Sequence, residues 1–265
     1  MSDWRTEELL ICRLADELAG DRHVAVGAAS PIPGAAALLA QAEARAAGRR
    51  MHVTVLHSQR YNHFTDGGRE LFDCAGQGRI DSFFLGGVQI DGQANINLVG
   101  IGDYPNVKKR FPGSFGSAYM YFAVPRVILF REEHSPRTLV EKVDFVSAPG
   151  TSAPGVWRRG GPRLLVTSLA VLSFDPGQAR FALDSVHPGT TADEVAARTG
   201  FSFDHPAKIP ETPTPAAALL ARLRLEIGPK VAEFYPTFAW RVFGARAAIQ
   251  PPGHPSSPNS TQDPA

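Results

Sequence analysis

Cysteine is nearly missing from this 265-residue chain: Cys12 and Cys74 stand alone, with neither metal-ligand spacing nor the even set of a disulfide framework. An excess of charge is missing too, with 27 Lys and Arg against 26 Asp and Glu. That balance supplies no basic surface for phosphate backbones and argues against a nucleic-acid partner. No uninterrupted apolar run approaches the roughly 18 residues that a membrane span requires, so no membrane partner is expected. The opening MSDWRTEELL lacks the basic and apolar regions of a secretory signal. A soluble, reducing, cytoplasmic setting follows as the expectation. What is present is ordinary: 43% hydrophobic and 20% charged residues exclude disorder across the whole chain.

The expected organisation is one α/β domain over residues 1–249 and a disordered tail over 250–265. The tail, QPPGHPSSPNSTQDPA, has five prolines and no large apolar residue, so it cannot offset its own ordering entropy. Leu9, Leu10, Leu14 and Leu18 form a helical stripe over 6–19. HVAVGA at 23–28 reads as a short strand running into Ser-Pro-Ile-Pro-Gly, and 33–47 as an alanine-rich helix closed by Gly48. MHVTVL at 51–56, SFFL at 82–85 and VILF at 127–130 read as further strands. Strand–helix–strand order of this kind implies an open, mostly parallel sheet with helices on its faces.

After Gly150 the pattern becomes β-rich. LLVTSLAVLSF at 164–174 reads as one long strand, Asp-Pro-Gly as a turn, and ARFALDSV at 179–186 as its hairpin partner. Thr191 and Glu194 fit a capping box opening a short helix to Thr199. The proline-bearing segment 203–215 reads as an extended crossing to a last helix.

Two glycine-rich loops stand out. Gly86-Gly87-Val88-Gln89 follows a buried strand, where glycine lets a backbone approach a ligand that any Cβ would exclude. In open α/β sheets that end of a strand is where ligands bind. Gly113-Ser114-Phe115-Gly116, behind the basic run Lys108-Lys109-Arg110, offers backbone N–H groups to an oxyanion or carbonyl oxygen. Both loops also have a purely structural reading, as turns.

Taken in order, GGVQIDGQANIN, GDYPNVKKRFPGSFGSA, LVEKVDFVSAPG, LVTSLAVLSFD and LDSVHPGTTADEVAARTGF resemble the β chains of heteromeric family I CoA-transferases, of the glutaconate CoA-transferase type, over 84–203. The resemblance implies a Rossmann-like open α/β sheet and an α subunit of related fold as partner, with the active site between the two. It implies no bound cofactor, coenzyme A entering as part of an acyl-CoA substrate. It also implies a glutamate nucleophile at a strand end, which attacks the thioester and works through anhydride and glutamyl-CoA adducts.

The sequence departs from that pattern. The matching strand ends in His57-Ser58-Gln59, and no glutamate lies between Glu43 and Glu70. Asp66 is the one carboxylate nearby along the chain, nine residues displaced from the expected position. A second branch of the same family, ring-opening hydrolases of bacterial steroid breakdown that act on CoA thioesters, also lacks this glutamate and takes its carboxylate from the other subunit. The chain resembles that branch in what is missing and in its aromatic loop at Phe115, Tyr119 and Tyr121. A third reading is a non-catalytic partner of an active α subunit.

His57 is the catalytic candidate, as a general base near neutral pH, or else it fills the vacated glutamate position. Ser58 lacks a nucleophile elbow, and His63 and Asp66 read as surface residues. Gly86, Gly87, Gln89, Gly113, Ser114 and Gly116 are the substrate- and CoA-binding candidates. Asn95, Asn97 and Asp103 read as braces of the first loop. Lys108, Lys109 and Arg110 read as a solvated face that also suits CoA phosphates. His187 reads as ordering the turn before a helix, and Tyr119, Tyr121 and Phe122 as pocket, interface or core.

Overall fold

In the computed structural model, which describes residues 3–244, helices and strands alternate through the first half. Helix α1 (Thr6–Glu17) leads to strand β1 (His23–Val26), α2 (Pro31–Ala46), β2 (His52–Val55), α3 (Gly67–Gly76) and β3 (Ser82–Leu85). Two small ladders follow, β4 (Gln89–Ile90) with β5 (Ile96–Asn97) and β6 (Gly100–Ile101) with β7 (Lys109–Arg110). Then come α4 (Ser117–Ala123), β8 (Arg126–Arg131), β9 (Pro162–Thr167), β10 (Ala170–Asp175), β11 (Arg180–Val186) and α5 (Ala192–Ala197). The C-terminal helices are α6 (Ala217–Arg222), a π-helical turn (Leu223–Ile227), α7 (Gly228–Ala232) and α8 (Pro236–Phe243). The proposed disordered tail at 250–265 lies outside the described residues.

Seven strands form one sheet in the order β11-β10-β9-β8-β3-β1-β2. The pairs from β2 across to β9 are parallel, and only β9–β10 and β10–β11 are antiparallel. The expected open, mostly parallel sheet is therefore present, and its β-rich C-terminal part completes the same sheet. Successive side chains divide between two faces, as strand pleating dictates. Val24, Val26, Phe84, Ile128, Leu164 and Val166 meet α1, α2 and the C-terminal helices on one face. Ala25, Phe83, Val127, Leu129 and Leu165 meet α3 and α4 on the other. Each fully buried Leu, Ile, Val or Phe contributes about 1.5–3 kcal/mol.

Three sequence expectations are corrected. The stretch 164–174 is two strands, because Thr167 Oγ1 accepts from the N–H groups of Leu169 (3.2 Å) and Ala170 (3.2 Å) and folds the chain back without glycine or proline. The last helix is a helical unit of four pieces. The capping box is half formed: Thr191 Oγ1 accepts from Glu194 N–H at 3.2 Å, while the Glu194 carboxylate pairs with Arg198 at 3.1 Å. The extended crossing at 203–215 is present and has a task. Asp204 and Glu211 bridge to β11, and their neighbours' backbone bonds cover its free edge.

Candidate functional site

From β1 the chain passes to β2 on one side, then crosses to β3 on the other, so the connections diverge between β1 and β3. Ligands in such sheets bind outside the carboxyl ends at that point. A concavity of about 330 Å³ lies there, lined by Ala28–Pro33 after β1, by Phe84–Gly86 from β3 and by Phe130–Glu132 from β8. A larger concavity of about 720 Å³ lies between the β4–β5 loop and the β10–β11 turn, lined by Asp91, Glu141, Arg180 and Phe201 among others. Topology favours the smaller one as the reaction site, because strand exits and a helix start converge on it.

Its walls follow from local chemistry. Ala29 sits at φ 57°, a left-handed turn that swings the chain from β1 into α2. Pro31 and Pro33 start that helix without N–H groups, and Gly34 N–H donates to Ser30 O at 2.9 Å. A Cβ on Gly86 would lie 2.9 Å from Phe130 O, and one on Gly87 2.6 Å from Gln89 O, so both glycines permit a close backbone approach. Arg131 lines the concavity beside Glu132, and its Nε is buried with no hydrogen-bond partner. Its Nη2 lies 3.6 Å from Glu133 Oε2. Glu133 is already held by Arg137 and Ser135, hydrogen bonds that bring its carboxyl down to about 2.

At the exit of β2, His57 is exposed and stacks on Tyr235, with ring centroids 5.1 Å apart and planes 11° from parallel. Ser58 is buried and closes a turn, its Oγ accepting from Arg60 N–H (3.1 Å) and Tyr61 N–H (2.9 Å). The same hydroxyl donates to Glu233 Oε2 at 2.7 Å, and Gln59 N–H donates to Glu233 Oε1 at 3.2 Å. Asp66 is therefore not the nearest carboxylate in space. The loop after β2 runs back along that strand, with Tyr61 O accepting from Val55 N–H at 3.1 Å and His63 reaching His52. Asp66 then precedes α3, paired with Arg69. Tyr235 Oη accepts from Ser30 N–H at 2.8 Å, linking the exits of β1 and β2.

The other sequence candidates divide. Gly86 lines the concavity. Gln89 is buried, its Oε1 accepting from Asn97 Nδ2 (2.7 Å) and Asp144 N–H (3.0 Å). Asn95 binds Asp91 and Gly150 N–H, so both asparagines hold the β4–β5 loop together. Gly113, Ser114 and Gly116 lie apart from the concavity, in a loop that leaves Phe115 85% exposed beside Phe72 and Tyr119. Asp103, Lys108, Lys109 and Arg110 are exposed. Tyr121 is core, donating to Ala94 O at 2.8 Å. Phe122 is partly buried against Trp157.

His187 is buried, its Nε2 donating to Thr167 O at 2.9 Å while its Nδ1 faces Thr212 Oγ1 at 2.9 Å. Among the described residues no group of three or more His, Cys, Asp or Glu is arranged to hold a metal, and no helix is long and apolar enough to cross a membrane. Sequence reasoning missed Arg131, Glu132, Glu233 and Tyr235. The first two follow the VILF strand directly and carried a usable signal, since strand exits are where ligand groups belong.

Comparison with known proteins adds three kinds of relative. The chain is 33% identical over 153 residues to the B-type subunit of 3-oxoadipate CoA-transferase from Pseudomonas knackmussii, covering 56% of this chain and 58% of the relative. It is 35% identical over 153 residues to the B-type subunit of glutaconate CoA-transferase from Acidaminococcus fermentans, covering 55% and 56%. A third relative is the cholesterol ring-cleaving hydrolase IpdB subunit of Rhodococcus jostii, 28% identical over 61% of this chain and 65% of that one. The matched stretch thus spans less than two thirds of each relative's length.

Among solved structures, glutaconate coenzyme A-transferase from Acidaminococcus fermentans superposes with a TM-score of 0.74 at 25% identity, over 88% of this chain and 97% of that one. The decarboxylase AibA/AibB shares the fold with a TM-score of 0.72 at 23% identity, over 91% and 100%. Residues 5–198 match the family model described as Coenzyme A transferase, and the chain belongs to that family.

Proposed function

We propose that this chain is the β-type subunit of a heteromeric enzyme acting on an acyl-CoA thioester, and that it shapes the substrate pocket without carrying the covalent nucleophile. The observation that carries this reading is the exit of β2. His57 stands there as an imidazole stacked on Tyr235, and Glu233, the carboxylate the fold brings beside it, accepts hydrogen bonds on both oxygens. A carboxylate so engaged is a poor attacking group, because each donated hydrogen bond stabilises its ground state. The reacting carboxylate then comes from the α-type partner, and His57 serves as a base for water or positions the thioester. The relative that cleaves a cholesterol ring by hydrolysis supports a hydrolytic outcome, and the two transferase relatives support the CoA-thioester substrate class.

A second reading is favoured by one feature. Glu132 contributes a carboxylate to the lining of the concavity, beside Arg131, and a transferase using it would form its adduct on this chain. The test is co-expression with an α-type chain, followed by a panel of acyl-CoA substrates in water enriched in heavy oxygen. The expected result is acyl-CoA consumption only when both chains are present, with label entering the product. Turnover by this chain alone would contradict the heteromer reading.

A further inference from the structure

The family match ends at residue 198, yet the chain continues into a helical unit that returns to the candidate site. That unit is anchored to the body at several points. Phe234 packs against the first turn of α2, where a Cβ on Gly34 would lie 3.3 Å from its ring. Arg224, on the π-helical turn, bonds the fully buried Glu8 of α1 at 2.6 and 2.9 Å. Arg241 of α8 pairs with Glu7 and, through its carbonyl, accepts from Arg5 at 2.9 Å.

Between α7 and α8, residues Glu233, Phe234 and Tyr235 point three groups at the exits of β2 and β1 and at the start of α2. Glu233 takes Ser58 Oγ and Gln59 N–H at the exit of β2. Phe234 takes the start of α2. Tyr235 Oη takes Ser30 N–H at the exit of β1, and its ring carries His57.

We infer that Glu233–Tyr235 is a positioning clamp for the site: it fixes the Ala29–Ser30 wall of the concavity and the His57–Ser58 turn relative to each other. The Ala29–Ser30 turn needs such a partner. Ala29 is held at positive φ without being glycine, Ser30 makes no side-chain cap to its own helix, and the helix opens on two residues that lack N–H groups. Tyr235 supplies an acceptor to the Ser30 N–H and a flat surface to the neighbouring exit. Burial pushes the phenol of Tyr235 up, further from ionisation than an exposed tyrosine. Tyr235 and Glu233 are positioning residues, acting on substrate through Ser30, His57 and Ser58. The inference rests on the proposed function for its catalytic consequence and on geometry alone for the clamp itself.

The test uses the full chain with its partner and two substitutions. Tyr235→Phe removes the acceptor for Ser30 and keeps the ring under His57. Glu233→Gln weakens the hold on Ser58 and Gln59 and leaves Ser30 alone. Amide hydrogen exchange is read at Ser30 and at Gln59–Tyr61, together with KM and kcat for an acyl-CoA. Tyr235→Phe is expected to speed exchange at Ser30 by about tenfold, with no change at Gln59–Tyr61, and to raise KM several-fold with kcat within about twofold. Glu233→Gln is expected to speed exchange at Gln59–Tyr61 only, and to lower kcat more than it raises KM, because it frees the His57 turn. Restoring the engaged acceptor through Glu233→Asp should recover part of that loss.

Unchanged exchange at Ser30 in Tyr235→Phe would overturn the clamp whatever the kinetics show. Faster exchange with unchanged KM and kcat, in an enzyme that turns over acyl-CoA, would overturn its role in the site. A wild-type complex inert toward every acyl-CoA would contradict the proposed function, and the exchange rates would still decide the clamp.

Discussion

A buried polar atom left without a partner costs about 1–3 kcal/mol, and Arg131 Nε is such an atom at the mouth of the candidate site. Its nearest carboxylate, on Glu133, is 3.6 Å from Nη2 and is already taken by Arg137. Under the proposed function, an acyl-CoA oxygen accepting from Nε would recover that cost. Arg131→Met is therefore expected to weaken acyl-CoA binding about tenfold or more while leaving Tm unchanged or slightly raised. Calorimetry of binding and of unfolding checks both halves; an unchanged Kd would remove Arg131 from the site. Arg224 behaves oppositely. It is the ion-pair partner of Glu8, which is 0% exposed and also accepts from Arg5 N–H at 2.9 Å, so Arg224→Met takes the cation from a buried carboxylate and should cost about 3 kcal/mol in a denaturant titration.

At the scale of elements, the strand exits decide what the sheet can do. Gly87 sits where a Cβ would be 2.6 Å from Gln89 O and 3.3 Å from Asn97 O, both backbone atoms of the small β4–β5 ladder. Gly87→Ala must push that ladder away and is expected to destabilise the chain by about 1–3 kcal/mol, with protease cutting near 86–98 as the visible sign.

The central strands were legible because short unbroken apolar runs, as in SFFL and VILF, mark strands buried on both faces. The β9–β10 corner was not, since Thr167-Ser168-Leu169-Ala170 turns through a threonine hydroxyl and carries none of the usual turn glycine or proline. Helices α3 and α4 were also hidden, one opening on Gly67-Gly68 and the other only seven residues long. Gly86 was found at the concavity through its place after a strand. Glu233 was invisible, because 175 residues separate it from the Ser58 it holds, and no local pattern encodes that contact.

For the whole molecule, burial of histidines sets a pH dependence. Desolvation brings His134 down to about 4, and it brings His23 down to about 4 with His52 adding to the effect; His187 is lowered as well. His134 is buried between two hydroxyls, Nδ1 at 2.7 Å from Thr167 Oγ1 and Nε2 at 2.9 Å from Thr199 Oγ1. Thr199 donates to Val195 O, so Nε2 of His134 donates to Thr199 Oγ1, and the neutral ring leaves Nδ1 as an acceptor for the Thr167 hydroxyl, which also reaches Ala170 O at 3.3 Å. Each of these bases binds protons more weakly folded than unfolded. Between about pH 6.5 and 4 the unfolded chain therefore takes up more protons, and stability falls as the pH falls through that window. His134 alone should cost about 2 kcal/mol by pH 5. Thermal unfolding at pH 7 and pH 5 checks this, and His134→Gln, which keeps one donor and one acceptor, should flatten the difference.

The same fold carries the transferase and decarboxylase named above, so overall architecture leaves the reaction open, and the exit of β2 bears on it most closely. The direct measurement is the intact mass of this chain after the complex has consumed an acyl-CoA and been quenched with hydroxylamine or borohydride. The account predicts an unmodified mass here, with any altered carboxylate on the partner. A CoA-derived or hydroxamate adduct on Glu132, Glu233 or Asp66 of this chain would contradict it.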